Sequence, residues 1–469
     1  MKTLLFSFLL LISVQLVATE LPVDSCNHQL YYVTPATIWE ETLPLGNGRL
    51  GIMPDGGIRQ EHIVLNEISL WSGMEADYGN PDASHSLPAI RQLLFEGKNK
   101  EAQELMYNSF VPKKEETDGR YGTYQVLGDL NIDFTYNTQS PTLNSQSVDY
   151  RRWRDLHDAV AYTTFMCDGV NYRREYFVSR DHDVILVHLT ADRKGALNFS
   201  AKLSRTERCT VTADGNTLRM NGALESGKAG QDGMKYSVAM RLISKSGKQA
   251  VSSERGMTLI KGKEAWLVIS ATTSYAAEGT DFLGERYVEV CDSLLEVMEP
   301  LVTSAKQSHI AAHRTLYDRV SLTLPATEDD ALPTNERILR FAEKGSPALA
   351  ALYYNYGRYL LISSTRPGSL PTNLQGLWAT GVQTPWNGDY HTNINVQMNH
   401  WPLEQAGLSE LYQPLTTLVE RLIPSGKETA RIFYGDKATG WVLHMMTNVW
   451  NYTAPGEHPS WGATNTGGA

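Results

Sequence analysis

Cysteine is scarce: Cys26, Cys167, Cys209 and Cys291 are the 4 in 469 residues, and no two form a CxxC pair. Zinc-ribbon and thioredoxin-like chemistry therefore lack their ligands. The four thiols allow three complete disulfide pairings, among which the sequence does not choose. Positive charge is also short. Lys plus Arg is 42 against 52 for Asp plus Glu, a net charge of −10, which opposes a phosphate backbone and excludes nucleic acid as a partner. There is no HExxH spacing and no acidic calcium loop, so His391, His400 and His444 read as hydrogen-bonding groups rather than metal ligands. The glycine-bearing run Leu43-Pro44-Leu45-Gly46-Asn47-Gly48-Arg49-Leu50-Gly51 lacks the Gly-Lys-Ser/Thr ending of a phosphate loop. What remains is an ordinary globular composition, 42% hydrophobic and 20% charged, in a length that suits two to four domains at roughly 100–200 residues each.

The N-terminus places Lys2 before an apolar run from Leu4 to Ile12, broken by Ser7 and continued by Val14 and Leu16-Val17-Ala18. Such a run is too short to span a bilayer but has the length of a signal-peptide core. Residues 1–19 are expected to be a signal peptide directing periplasmic or extracellular export. Cys26 is the alternative lipid acceptor, and Asp24 disfavours it where a small or apolar residue is usual. No membrane attachment beyond the signal is expected.

From about residue 120 to 275 the pattern has period two. Leu197, Phe199, Ala201 and Leu203 alternate with Asn198, Ser200 and Lys202, and Tyr236, Val238, Met240 and Leu242 show the same spacing. Val184–Leu189 and Ala265–Ile269 are near-continuous apolar runs suited to doubly covered strands. A β-sandwich domain is assigned to 20–280 and a helical linker to 281–335, closed by the acidic, proline-bearing stretch Pro325–Pro333. Beyond it the chain reads as helical. Ser346-Pro347 supplies an N-cap with proline at the first helical position, and Leu349, Leu352, Tyr353, Tyr356 and Leu360 share one face. A second stripe runs through Leu408, Leu411, Leu415, Leu418 and Leu422, with Pro414 predicting a helix start near Gln413 or a kink there.

Six of the 10 tryptophans, Trp378, Trp386, Trp401, Trp441, Trp450 and Trp461, fall in this last region. An indole suits the C–H face and hydroxyl rim of a sugar as well as it suits a core. Gathered beside unusual amides, these indoles lean towards a carbohydrate cleft. In Trp386–Trp401 the amides Asn393, Asn395, Gln397 and Asn399 alternate with Ile394, Val396 and Met398. An extended backbone would set four amides on one side. The competing reading is an Asn-rich turn before a helix beginning near Pro402. Amides hold water and hydroxyls, but an amide is no base by itself, so such a site needs a carboxylate behind it. Asn47, flanked by glycines, reads by default as a left-handed turn.

The run Leu43–Gly51, together with Leu65-Asn66-Glu67, Leu70-Trp71-Ser72-Gly73, Tyr124–Leu130, Arg366–Pro371, Asn373–Trp378 and Trp386–Trp401, resembles glycoside hydrolase family 95. That is the inverting α-L-fucosidase family, which also contains α-L-galactosidases. The resemblance implies an α+β multidomain fold of N-terminal β-sandwich, helical linker and α/α toroid. Residues 336–469 would be the first part of an incomplete toroid. It also implies that Asn393 and Asn395 position the attacking water and that His391, with Trp386 and Asn47, contacts the sugar. A fucosylated oligosaccharide or glycan is the expected substrate, fucose being favoured over galactose, and no cofactor is implied.

Inverting hydrolysis needs a protonated carboxyl for the leaving oxygen and a base on the opposite face. The family's general acid and supporting aspartate match no position of this sequence and are expected beyond Ala469. Glu404, Glu410 and Glu420 occupy ordinary helix positions. The leading expectation is thus a truncated exo-fucosidase, with a catalytically inactive sugar-binding remnant as the alternative. A chain that exposes apolar helix faces and fails to fold is the third outcome.

Overall fold

The computed structural model describes residues 25–112, 119–136, 148–276 and 284–456. The signal segment, Trp461 and Thr466–Ala469 lie outside the described residues. Two antiparallel sheets form the N-terminal half. Among the described residues one has nine strands, ordered Gln29–Tyr32, Val148–Asp155, Val160–Cys167, Val170–Val178, Val184–Ala191, Glu264–Thr273, Asp232–Ile243, Thr217–Glu225, Thr210–Asp214. The other has seven, ordered Lys248–Ser252, Gly256–Gly262, Leu197–Ser204, Gly128–Phe134, Gln60–Glu67, Leu50–Pro54, Leu45–Gly46. They share one core, to which the second sheet sends Ile52, Leu65, Leu130 and Phe199, and the first sends Ile185, Val187, Tyr236 and Leu267. Period two is visible in Leu197–Ser204, where Leu197, Phe199, Ala201 and Leu203 are buried and the residues between them are not.

Between the strands Gln60–Glu67 and Gly128–Phe134 the chain leaves the sheet as a helical hairpin, α1 (Ala83–Phe95) and α2 (Asn99–Ser109). Its apolar side chains Ala83, Ile90, Ala102 and Phe110 pack against Phe433 and Tyr452 of the distant helical region. Next come α3 (Tyr287–Met298) and α4 (Ala305–Tyr317). Helix α3 lays Cys291, Leu295 and Met298 over Val184, Leu186, Trp266 and Val268, which explains the unbroken apolar runs in the two central strands. Helix α4 is stitched to the sandwich by two histidines one turn apart. His309 Nε2–H donates to Ala159 O at 3.1 Å and His313 Nε2–H to Leu156 O at 2.9 Å. All four cysteines are free thiols, so none of the three possible pairings forms.

The remaining helices are α5 (Thr334–Lys344), α6 (Pro347–Ser364), α7 (Asn395–His400) and α8 (Gln413–Tyr434). Ser346 Oγ accepts from Leu349 N at 3.0 Å, with Pro347 in the first turn, as the sequence predicts. The predicted apolar face of α6 is rotated, however. Tyr353 is 78% exposed, and the buried face carries Asn355 and Arg358 beside Leu352, Tyr359 and Ile362. Those polar residues are buried because they serve backbone carbonyls: Asn355 Nδ2 donates to Asn27 O and Leu322 O, and Arg358 to Tyr317 O, Val320 O and Ala406 O. Helix α8 begins at Gln413 with Pro414 in its first turn. No helix of the described residues is long and apolar enough to cross a membrane.

Candidate active site

The amide motif is neither extended nor delayed to Pro402. Asn393 lies in a turn and α7 begins at Asn395, because Val396 and His400, one turn apart, both point into the core. The alternation of amides and apolar residues therefore wraps around a helix. Gln397 Nε2 donates back to Thr392 O at 2.6 Å and Asn399 Nδ2 to Asn373 O at 3.5 Å. Asn393 and Asn395 are exposed, and neither amide has a partner among the described residues.

The loop that delivers them is held from the sandwich. Trp386, Asn387 and Gly388 all have left-handed φ, at 49°, 57° and 57°, costing about 1–3 kcal/mol at each non-glycine position. Contacts over-determine this bend: Asn387 O accepts from Tyr124 N at 2.8 Å and from Thr123 Oγ1 at 3.0 Å. Tyr390 stacks on Trp71 with centroids 5.8 Å apart and planes at 25°. Tyr390–His391 pairs with Met446–Thr447 as a two-residue ribbon. On one side of this ribbon Asp389 Oδ1 lies 2.5 Å from His391 Nδ1, and Asp389 Oδ2 accepts from Tyr121 OH at 2.7 Å. Burial raises the Asp389 carboxyl above its ordinary value, opposed by the hydrogen bonds from His391 and Tyr121.

The tryptophans divide. Trp378 and Trp450 are core, their Nε1 groups donating to Leu45 O and Ser72 O. Trp386 and Trp401, at 76% and 57% exposure, stand in solvent beside the amides in sequence. Asn47 belongs elsewhere. Its side chain is fully buried, accepting from Arg49 N and Leu50 N and donating to Ser179 O and Asp183 Oδ1, which leaves no valence for a sugar. The left-handed residue there is Gly48, at φ 89°, where a Cβ would lie 2.6 Å from the Thr365 backbone. So Trp386, His391 and Asn393 lie on one loop, Asn395 opens the helix that follows it, and Asn47 sits in a structural turn. Sequence reasoning missed Asp389 and Tyr121. An Asp-x-His spacing was the available signal for the former; nothing local marks the latter.

No carboxylate stands behind the amides among these contacts. Asp389 is committed to His391 and Tyr121, Glu404 accepts from Ser409 Oγ at 2.9 Å, Glu410 pairs with Arg319 at 2.7 Å, and Glu420 is exposed. No cluster of three or more His, Cys, Asp or Glu side chains suited to a metal occurs among the described residues.

Residues 30–278 match the family model for the glycosyl hydrolase family 65 N-terminal domain, and 302–469 that for the glycosyl hydrolase family 95 catalytic domain. Among solved structures, one named "Putative kojibiose phosphorylase from human microbiome" has the same fold at TM-score 0.52 and 10% identity, over 91% of this chain and 53% of that one. Both matching models describe glycosyl hydrolase domains, one over each half of the chain. "Alpha-L-fucosidase 2" of Arabidopsis thaliana is 30% identical over 94% of this chain and 54% of its own length. "Probable alpha-fucosidase A" of Aspergillus niger is 34% identical over 93% and 54% respectively. The chain belongs to glycoside hydrolase family 95. It spans about half the length of these curated relatives.

Proposed function

We propose that the protein is an exported exo-glycosidase that releases terminal α-L-fucose from glycans by inverting hydrolysis. Asn393 and Asn395 hold the attacking water, and His391 and Trp386 contact the sugar. The observation that carries this reading is the pair of exposed, unpartnered amides of Asn393 and Asn395, on a loop whose strained backbone is clamped by the sandwich. Amides supply donors and acceptors to a water without competing for its proton. The names of the relatives support fucose as the sugar, and the charge-then-apolar N-terminus supports export.

Proton NMR of 2′-fucosyllactose hydrolysis tests the reading, with β-fucose expected as the first anomer formed. Initial α-fucose would refute inversion. A specific second reading follows from the carboxylates: Asp389, Glu404 and Glu410 are engaged with other side chains and Glu420 is exposed, so the 469-residue chain would bind sugar without turning it over. Calorimetry showing L-fucose binding without fucose release supports that reading, and turnover by this chain refutes it.

A further inference from the structure

We infer that Asp389, steadied by Tyr121, is a positioning residue that fixes the His391 imidazole as the Nδ1–H tautomer and so presents its Nε2 lone pair as a hydrogen-bond acceptor. This rests on the proposed role of His391 in contacting the sugar. A carboxylate offers only acceptors. With Asp389 Oδ1 2.5 Å from His391 Nδ1, the hydrogen between them therefore sits on the imidazole, and in the neutral form of the ring Nε2 is left bare. A sugar hydroxyl can then donate to it.

Three features hold the arrangement in place. Asp389 is 1% exposed, its second oxygen takes the Tyr121 phenol, and its backbone carbonyl accepts from Leu374 N at 3.1 Å. Tyr121 is equally buried and meets the Tyr452 ring edge to face at 4.8 Å. The His391 backbone is fixed by pairing with Met446, while the intervening Tyr390 is locked on Trp71. The chain Tyr121 to Asp389 to His391 thus crosses from a sandwich loop to the candidate site, giving the sandwich a part in substrate recognition that no local motif announces.

Replacing Asp389 by Asn reverses the polarity. The amide NH2 then donates to Nδ1, and Nε2 must carry the hydrogen, so it meets a sugar hydroxyl as a donor. The test is a long-range 1H–15N correlation spectrum of the full chain with 15N-labelled histidine, His391 being assigned from the His391→Gln spectrum. The unmodified protein is expected to show Nδ1–H, Asp389→Asn to show Nε2–H, and Tyr121→Phe to keep Nδ1–H. An Nε2–H form in the unmodified protein, or an unchanged tautomer in Asp389→Asn, overturns the inference. If Asp389→Asn does not fold, the unmodified spectrum still decides. Fucose release, where the protein shows it, should fall roughly 10- to 100-fold in kcat/KM for Asp389→Asn. Absence of fucose release in every form refutes the proposed function and leaves the tautomer measurement standing.

Discussion

The sandwich and the helical region solve opposite problems. In the sandwich a charged pair turns inward and is satisfied there. Arg174 donates to Glu61, Gly57 O and Ile58 O and lies over the Phe134 ring at 3.8 Å, while Tyr176 OH reaches the other Glu61 oxygen at 2.5 Å. In the helical region large apolar and amide side chains turn outward: Tyr353, Trp386 and Trp401 are exposed, as are Asn393 and Asn395. An internally paired charge marks one side of the seam, and exposed amides without internal partners mark the other. The clamp of Trp71, Thr123 and Tyr124 on the loop Thr384–His391 makes the first serve the second.

Breaking the sandwich should have the largest effect. Arg174→Met leaves Glu61 ionised or protonated in an apolar interior without its partner, and unfolding free energy is expected to drop by about 3–5 kcal/mol. Urea denaturation checks it. A loss below about 1 kcal/mol would mean that the pair is replaceable by apolar packing.

Acid should attack the join between the regions next. Burial lowers His309 to about 4 from 6.5, and His313 is pushed well below its ordinary value by burial and by His309, with Arg180 adding to both. The folded state thus binds fewer protons than the unfolded state. Stability from these groups is fully present above about pH 6.5 and is lost as pH falls towards 4. Each histidine contributes up to about 1.4 kcal/mol per pH unit in that window. Urea midpoints measured from pH 7.5 to 4.5 should decline accordingly, and His309→Gln should flatten the slope. An equally steep slope in the variant would place the acid sensitivity elsewhere, with His444, also lowered to about 4 by burial, as the next group to test.

How much of this was legible depends on where water touches each element. Strands wet on one face, such as Leu197–Ser204, declare themselves by alternation, and the central strands declare themselves by losing it under α3. The hairpin of α1 and α2 was illegible because its few buried residues, Ala83, Ile90 and Ala102, find their partners in α8 and beyond it, more than 300 residues away in sequence. The face of α6 was misread because hydrophobic periodicity assumes that polar side chains avoid the core, whereas Asn355 and Arg358 are buried in order to bind carbonyls. At the candidate site, Asn393 and Asn395 are singled out by residue type and resemblance. Their local conformation is not, since an alternation this short fits a strand and a helical turn alike. Tyr121 reaches Asp389 across 268 residues, which no local pattern can show.

Two smaller effects sharpen the contrast within one residue type. Asn47→Ala removes two acceptor and two donor contacts from a buried turn, and is expected to cost about 1–3 kcal/mol of stability.

Asn393→Ala and Asn395→Ala remove side chains without internal partners, so thermal denaturation should register no more than about 0.5 kcal/mol for either. If these amides hold the attacking water, the interaction strengthens only as the transition state forms. Turnover should therefore fall far more than fucose affinity. Equal losses in turnover and in fucose binding would assign the two amides to sugar recognition, and a large stability loss without either would return them to the same structural class as Asn47.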